Sequence, residues 1–166
     1  ATGMIVAADY SEATSNDCVH LPGLLDAVRG PVQAVAADMA YDTHRCRQAV
    51  HARGARQLIP PRRNARLSHL IPKHRRCAGA PDTLPDTLKE RDDAILFLRH
   101  NAVNGNPAIA RKSWKQKTGY HVRSRVETTF SQIKTHSSDR LTNKTEANRK
   151  AQAILKCTLL NILNAL

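Results

Sequence analysis

The chain has 166 residues, 26 Lys and Arg against 14 Asp and Glu, and a formal charge of +12 at pH 7. A chain of about 150 residues can bury roughly 68–70% of its unfolded surface, and 41% hydrophobic residues supply enough apolar material for a core, which excludes a disordered basic tail. No run approaches the roughly 20 apolar residues of a membrane span, and the N-terminus lacks the residue order of a signal peptide, so a cytoplasmic, nucleoid-associated protein is expected.

In chain order, Met4 to Asp9 reads as a short buried strand. Leu21, Leu24, Leu25 and Val28 fall at helical spacing and stop at Gly30-Pro31. Val32 to Ala37 is a second apolar, β-branched run that ends at Asp38. A helix from about Thr43 to Arg53 follows, with Asp42 or Thr43 as N-cap and Gly54 as C-cap, and then a strand from Arg56 to Ile59 closed by Pro60-Pro61. Strands alternating with helices predict a layered α/β domain with parallel neighbours. From 61 to 118 the pattern dissolves into a proline-rich stretch holding the basic cluster Arg62, Arg63, Arg66, Lys73, Arg75 and Arg76, with one short helix around Thr87 to Arg99. It reads as an irregular basic insertion. A helix from about Gly119 to His136 and a long one from about Thr145 to Leu166, opened by Asn143 and packed through Ile154, Leu155, Leu159, Ile162 and Leu163, complete the chain.

Charge is unevenly placed. Residues 1–50 hold three basic and six acidic side chains, a net of −3, whereas 51–166 carry a net of +15. Such an excess attracts polyanions and, through counterion release, makes their binding salt-dependent; nucleic acid is the partner it fits. Aromatic residues, at 4%, are too few for a membrane-surface helix. Cys18, Cys46, Cys77 and Cys157 form no close pair and read as reduced thiols. His69, His74 and Cys77 lie near one another but lack a fourth ligand at metal spacing.

The helix from Gly119 carries the chemistry. With Tyr120 as origin and about 100° per residue, Arg123, Glu127 and Lys134 fall within roughly one 60° arc. A phenol, a guanidinium, a carboxylate and an ammonium are thus expected in a row, beside an apolar arc of Val122, Val126, Phe130 and Ile133 that would anchor the helix in the core. The bland reading is an i, i+4 ion pair on a solvated helix. Against it stands Asp38, at the C-terminal end of a strand, where open α/β sheets place ligand-binding groups.

These residues resemble the DDE transposases of bacterial insertion sequences. Tyr120, Arg123, Glu127 and Lys134 match that family's Tyr-x2-Arg-x3-Glu-x6-Lys signature without a gap. The segment Ala37-Asp38-Met39-Ala40-Tyr41-Asp42 is similar to its second-aspartate block, and Ile59-Pro60-Pro61-Arg62-Arg63-Asn64 to the stretch that follows. The resemblance implies an RNase H-like α/β catalytic core and two Mg²⁺ or Mn²⁺ ions held by Asp38, Glu127 and one more carboxylate for in-line phosphoryl transfer on DNA. It implies that Tyr120 and Arg123 hold a phosphate at the transposon end and that Lys134, with Arg62 and Arg63, contacts double-stranded DNA, on which the protein would act as a homodimer. Asp9 also ends a strand, but by the family's order not a catalytic one.

No residue matches the family's first aspartate. The chain is therefore expected to be a partial catalytic domain over 1–166, short of its first two strands, binding DNA but transferring few or no strands by itself. Two rivals are a non-catalytic basic nucleic-acid-binding module and a different RNase H-like nuclease.

Overall fold

The computed structural model describes residues 3–11, 15–70, 86–138 and 140–166. It is mostly helical, with one two-stranded parallel sheet, and divides into two compact units, one formed by 31–121 and the other by 1–30 with 122–166. No helix among the described residues is long and apolar enough to cross a membrane.

The 31–121 unit opens with a β-α-β element. Strand β1 (Ala34–Ala36) pairs in parallel with β2 (Arg56–Leu58), Val35 opposite Gln57. Between them lies helix α2 (His44–Ala52). The hydroxyl of Thr43 accepts from the Cys46 N–H at 3.2 Å, so Thr43 and not Asp42 is the N-cap. At the other end Gly54 takes a φ of +63°, a left-handed turn that a side chain would strain. Cys46 and Val50 face inward from α2 and are fully buried.

The stretch from 61 to 118, expected to be irregular but for one short helix around Thr87 to Arg99, carries that helix as α3 (Lys89–His100) and a second, unexpected 12-residue helix, α4 (Pro107–Thr118), while residues 71–85, with His74 and Cys77, lie outside the described residues. The physical reason is positional. Pro107 sits in the first turn of α4, where its missing N–H has no helical partner to lose, and Asn106 caps that turn by accepting from the Ala108 N–H. Gly119 closes the helix at φ +76°. Ala110 and Trp114, four residues apart on α4, meet Ala94 and Leu98 of α3, together with Leu58 and Tyr120, in the core of this unit.

In the other unit, helix α1 (Leu21–Ala27) buries Leu21 and Leu25. Helices α5 (Ser124–Ser137) and α6 (Glu146–Ala165) pack on each other. Thr145, not Asn143, caps α6, while Asn143 bonds to Gln152. The strand expected at Met4 to Asp9 is absent. A strand exists through its neighbours, and here the Ile5 N–H and carbonyl are both taken by the side-chain amide of Asn161 on α6, at 2.8 and 2.7 Å. The apolar arc of α5 is not core either: Val126 and Phe130 are 51% and 59% exposed, and Leu160 is the residue α6 buries.

Candidate functional site

Asp38 follows β1 by two residues and begins a single 3₁₀ turn over Met39–Tyr41. Its Oδ1 accepts from the Ala40 N–H at 2.8 Å, so the carboxylate is held at a strand end by its own backbone. The far end of that turn is fixed by Asp42, which is buried. Asp42 Oδ1 accepts from Arg47 Nε at 2.8 Å and from Arg91 Nε at 3.0 Å, and its Oδ2 accepts from the Arg62 N–H at 2.9 Å.

Arg47 is a guanidinium with no exposed surface. Its two terminal nitrogens donate to Gln57 Oε1 and the Ile59 carbonyl, each at 2.9 Å, so every nitrogen of the guanidinium has a partner inside the protein. Burial pushes its pKa below the usual arginine value, and the neighbouring Asp42 carboxylate pulls it back up. Arg91 also reaches Asp92, whose carboxylate accepts from the Ser68 N–H and hydroxyl. Sequence reading missed this network. Asp42 and Arg47 are five residues apart, off the i, i+4 spacing that marks a helical pair, and Arg91 and Asp92, on the short helix expected around Thr87 to Arg99, meet partners more than 20 residues away in sequence.

The two arginines expected to meet DNA differ in setting. Arg62 donates from a terminal NH₂ to the Ala40 carbonyl at 3.3 Å, tying the Pro60–Arg63 segment to the Asp38 turn. Arg63 is exposed.

The Tyr-Arg-Glu-Lys row is divided. Tyr120 and Arg123 belong to a 3₁₀ turn, Tyr120–Arg123, and not to the α-helix that follows. The expected arc assumed unbroken α-helical rotation, so Tyr120 leaves it. Tyr120 is 7% exposed, and its ring packs in the core of the 31–121 unit, tilted 48° to Trp114 at a centroid distance of 5.7 Å. Arg123, Glu127 and Lys134 lie in the other unit. There Arg123 donates to Glu127 Oε1 at 2.6 Å, and Lys134, seven residues beyond Glu127 on α5, returns to the same helix face.

Asp38 and Glu127 thus stand in different compact units. Both are hard carboxylate donors of the kind Mg²⁺ or Mn²⁺ prefers. Among the described residues no group of three or more His, Cys, Asp and Glu side chains is placed to hold a metal ion. Asp9, the lesser candidate, is engaged with His20 and Lys150 at 3.0 and 3.1 Å.

Residues 1–162 match the family model of the transposase DDE domain. No solved structure matches the chain.

Proposed function

The chain belongs to the transposase DDE domain family, and from that premise we propose that it serves DNA transposition as the part of an insertion-sequence transposase that carries the second aspartate and the glutamate, Asp38 and Glu127. The family acts on DNA, is generally dependent on divalent metal and implies an RNase H-like fold. The observation that supports the finer reading is the Arg123–Glu127–Lys134 arrangement: a carboxylate on α5 paired with a guanidinium from the 3₁₀ turn before it and followed by an ammonium on the same helix face.

Each residue has a definite part in this reading. Glu127 and Asp38 would hold the divalent ions, Mg²⁺ or Mn²⁺, which when bound activate the attacking oxygen and neutralise charge on the phosphate. Arg123 spends one N–H on Glu127 and keeps further donors in a planar fork suited to a phosphate. Lys134 offers a compact point charge on the same face, placed for the backbone of a terminal strand. Tyr120, with its ring in the core, would contribute through its hydroxyl alone. Arg62 braces the Asp38 turn, and Arg63 faces outward to duplex DNA. A homodimer on DNA would fit a reaction on paired transposon ends.

Because no residue matches the family's first aspartate, the 166 residues by themselves are expected to bind DNA and to transfer few or no strands. A cleavage and strand-transfer assay on transposon-end DNA with Mg²⁺ or Mn²⁺ tests this. Cleavage abolished by Glu127→Ala would assign the chemistry to that carboxylate and show the chain to be competent alone. Cleavage indifferent to both Glu127→Ala and Asp38→Ala, or a chain that does not bind DNA, would overturn the proposal.

A further inference from the structure

We infer that one flank of α4, carrying Arg111, Lys112 and Lys115, is a contact surface for the phosphate backbone of duplex DNA, continuous with the Asp38 turn. The inference rests on the reading of the chain as a DNA-acting protein and adds to it a surface that the sequence, read as irregular there, did not offer.

From Pro107 to Thr118 the helix holds four basic side chains and no acidic one. Ala110 and Trp114 commit one face to the core. Arg111 and Lys115, four apart, and Lys112, three before Lys115, share the adjoining face, with Lys112 and Lys115 exposed. Among the described residues no carboxylate pairs with Lys112 or Lys115. Lys115 lies 5.4 Å from the centre of the Tyr120 ring, an aromatic contact that orients the ammonium without neutralising it.

Contacts inside the 31–121 unit then connect this flank to the candidate site. Arg111 donates to the Pro61 carbonyl at 3.3 Å. The next residue, Arg62, donates to the Ala40 carbonyl in the turn that Asp38 opens. Between Leu58 and Leu70 the chain contributes Arg62, Arg63 and Arg66 and no acidic residue. The deeper cations of this unit are handled differently: Arg47 and Arg91 are turned inward and paired with Asp42 and Asp92. The buried charges are neutralised, whereas among the described residues no carboxylate pairs with Lys112, Lys115 or Arg63, which follow the line from α4 past Pro61 to the Asp38 turn. A polyanion with repeating charges and no demand for base contacts fits such a stripe.

The test measures binding of the full chain to a duplex of about 25 base pairs, long enough for several phosphate contacts, as a function of salt. Lys112→Gln with Lys115→Gln should lower the slope of log K against log salt by about 2, near 0.9 per lost phosphate contact. Lys112→Arg with Lys115→Arg should keep the parental slope, and Lys89→Gln with Arg99→Gln, an equal charge loss on α3, should change it by less than about 0.5. All four positions are exposed on helices, so the variants should fold. A parental slope in the α4 glutamine variant, or an equal fall in the α3 variant, would overturn the inference and leave the proposed function standing. A wild-type chain that shows no salt-dependent binding would overturn both.

Discussion

Asp42 organises the buried polar structure of the 31–121 unit, since one carboxylate satisfies two guanidinium groups and a backbone N–H. It also limits how far the Asp38 turn can move, because the turn ends where Asp42 begins. A buried ion pair is weak grounds for stability when compared with an apolar replacement, but removing one partner leaves a charge stranded in low dielectric. Asp42→Asn should therefore cost about 3–5 kcal/mol, read as a lower urea midpoint at unchanged m-value. A loss below about 1 kcal/mol would mean that Gln57 and the Ile59 carbonyl satisfy Arg47 without help. Glu127 stands at the opposite extreme. Its side chain is 64% exposed, so its ion pair with Arg123 adds little to stability, and the carboxylate is reachable from solvent.

At the scale of elements, the N-terminal segment is held to α6 by side chains and not by strand pairing. Asp9 is central to this: hydrogen bonds from Lys150, from the Tyr10 N–H and from His20 hold its pKa below the ordinary aspartate value of 3.8. A depressed carboxylate stabilises the fold above its unfolded-state pKa, and that contribution disappears as pH falls through the folded value. The Asp9 carboxyl carbon should thus titrate below 3.8 by NMR, and Lys150→Ala should move the midpoint back toward it; an unmoved midpoint would show the Lys150 contact to be absent in solution. The same contrast explains what was legible in sequence. Helix α2 is legible nearly to its ends because Thr43 and Gly54 are local signals, β1 because a β-branched run ends at Asp38, and β2 because Gly54 and Pro60-Pro61 bracket a short segment. Helix α4 was missed because Pro107 was weighed as a breaker when, behind Asn106, it is a start. Met4 to Asp9 failed for the opposite reason: its residues suit a strand, but strand identity depends on a partner, and the partner found is Asn161. Of the candidate site, the residue types were legible, whereas the break at Tyr120 was not, since a 3₁₀ turn differs from an α-helix by geometry that the apolar spacing does not encode.

On the scale of the whole molecule, folding redistributes the charge that chain position suggested. Cut at residue 50, the sequence separates an acidic part at −3 from a basic part at +15. The compact units divide differently: 31–121 holds 17 basic and 7 acidic side chains, net +10, and the other unit holds 9 and 7, net +2. Asp38 therefore lies in the strongly basic unit, a setting that would suit the role proposed for it beside a polyanion. The acidic N-terminal segment is instead set against the basic α6, as Asp9 beside Lys150 shows. A net +10 in one compact unit also repels itself. At 10 mM salt the Debye length is about 30 Å, comparable to the width of a compact unit of this size, and at physiological salt about 8 Å, so added salt should relieve the repulsion between surface cations. The buried Asp42–Arg47 pair is shielded from the same screening. Raising NaCl from about 10 to about 300 mM should then raise the melting temperature by several degrees, since about 1 kcal/mol moves a small domain by 4–8 °C. A short DNA duplex added at low salt should produce a comparable rise by binding the folded state. A melting temperature that falls with salt would mean that attractive surface pairs, such as Arg123 with Glu127, outweigh the repulsion, and would remove the electrostatic reason for expecting the 31–121 unit to lead in binding DNA.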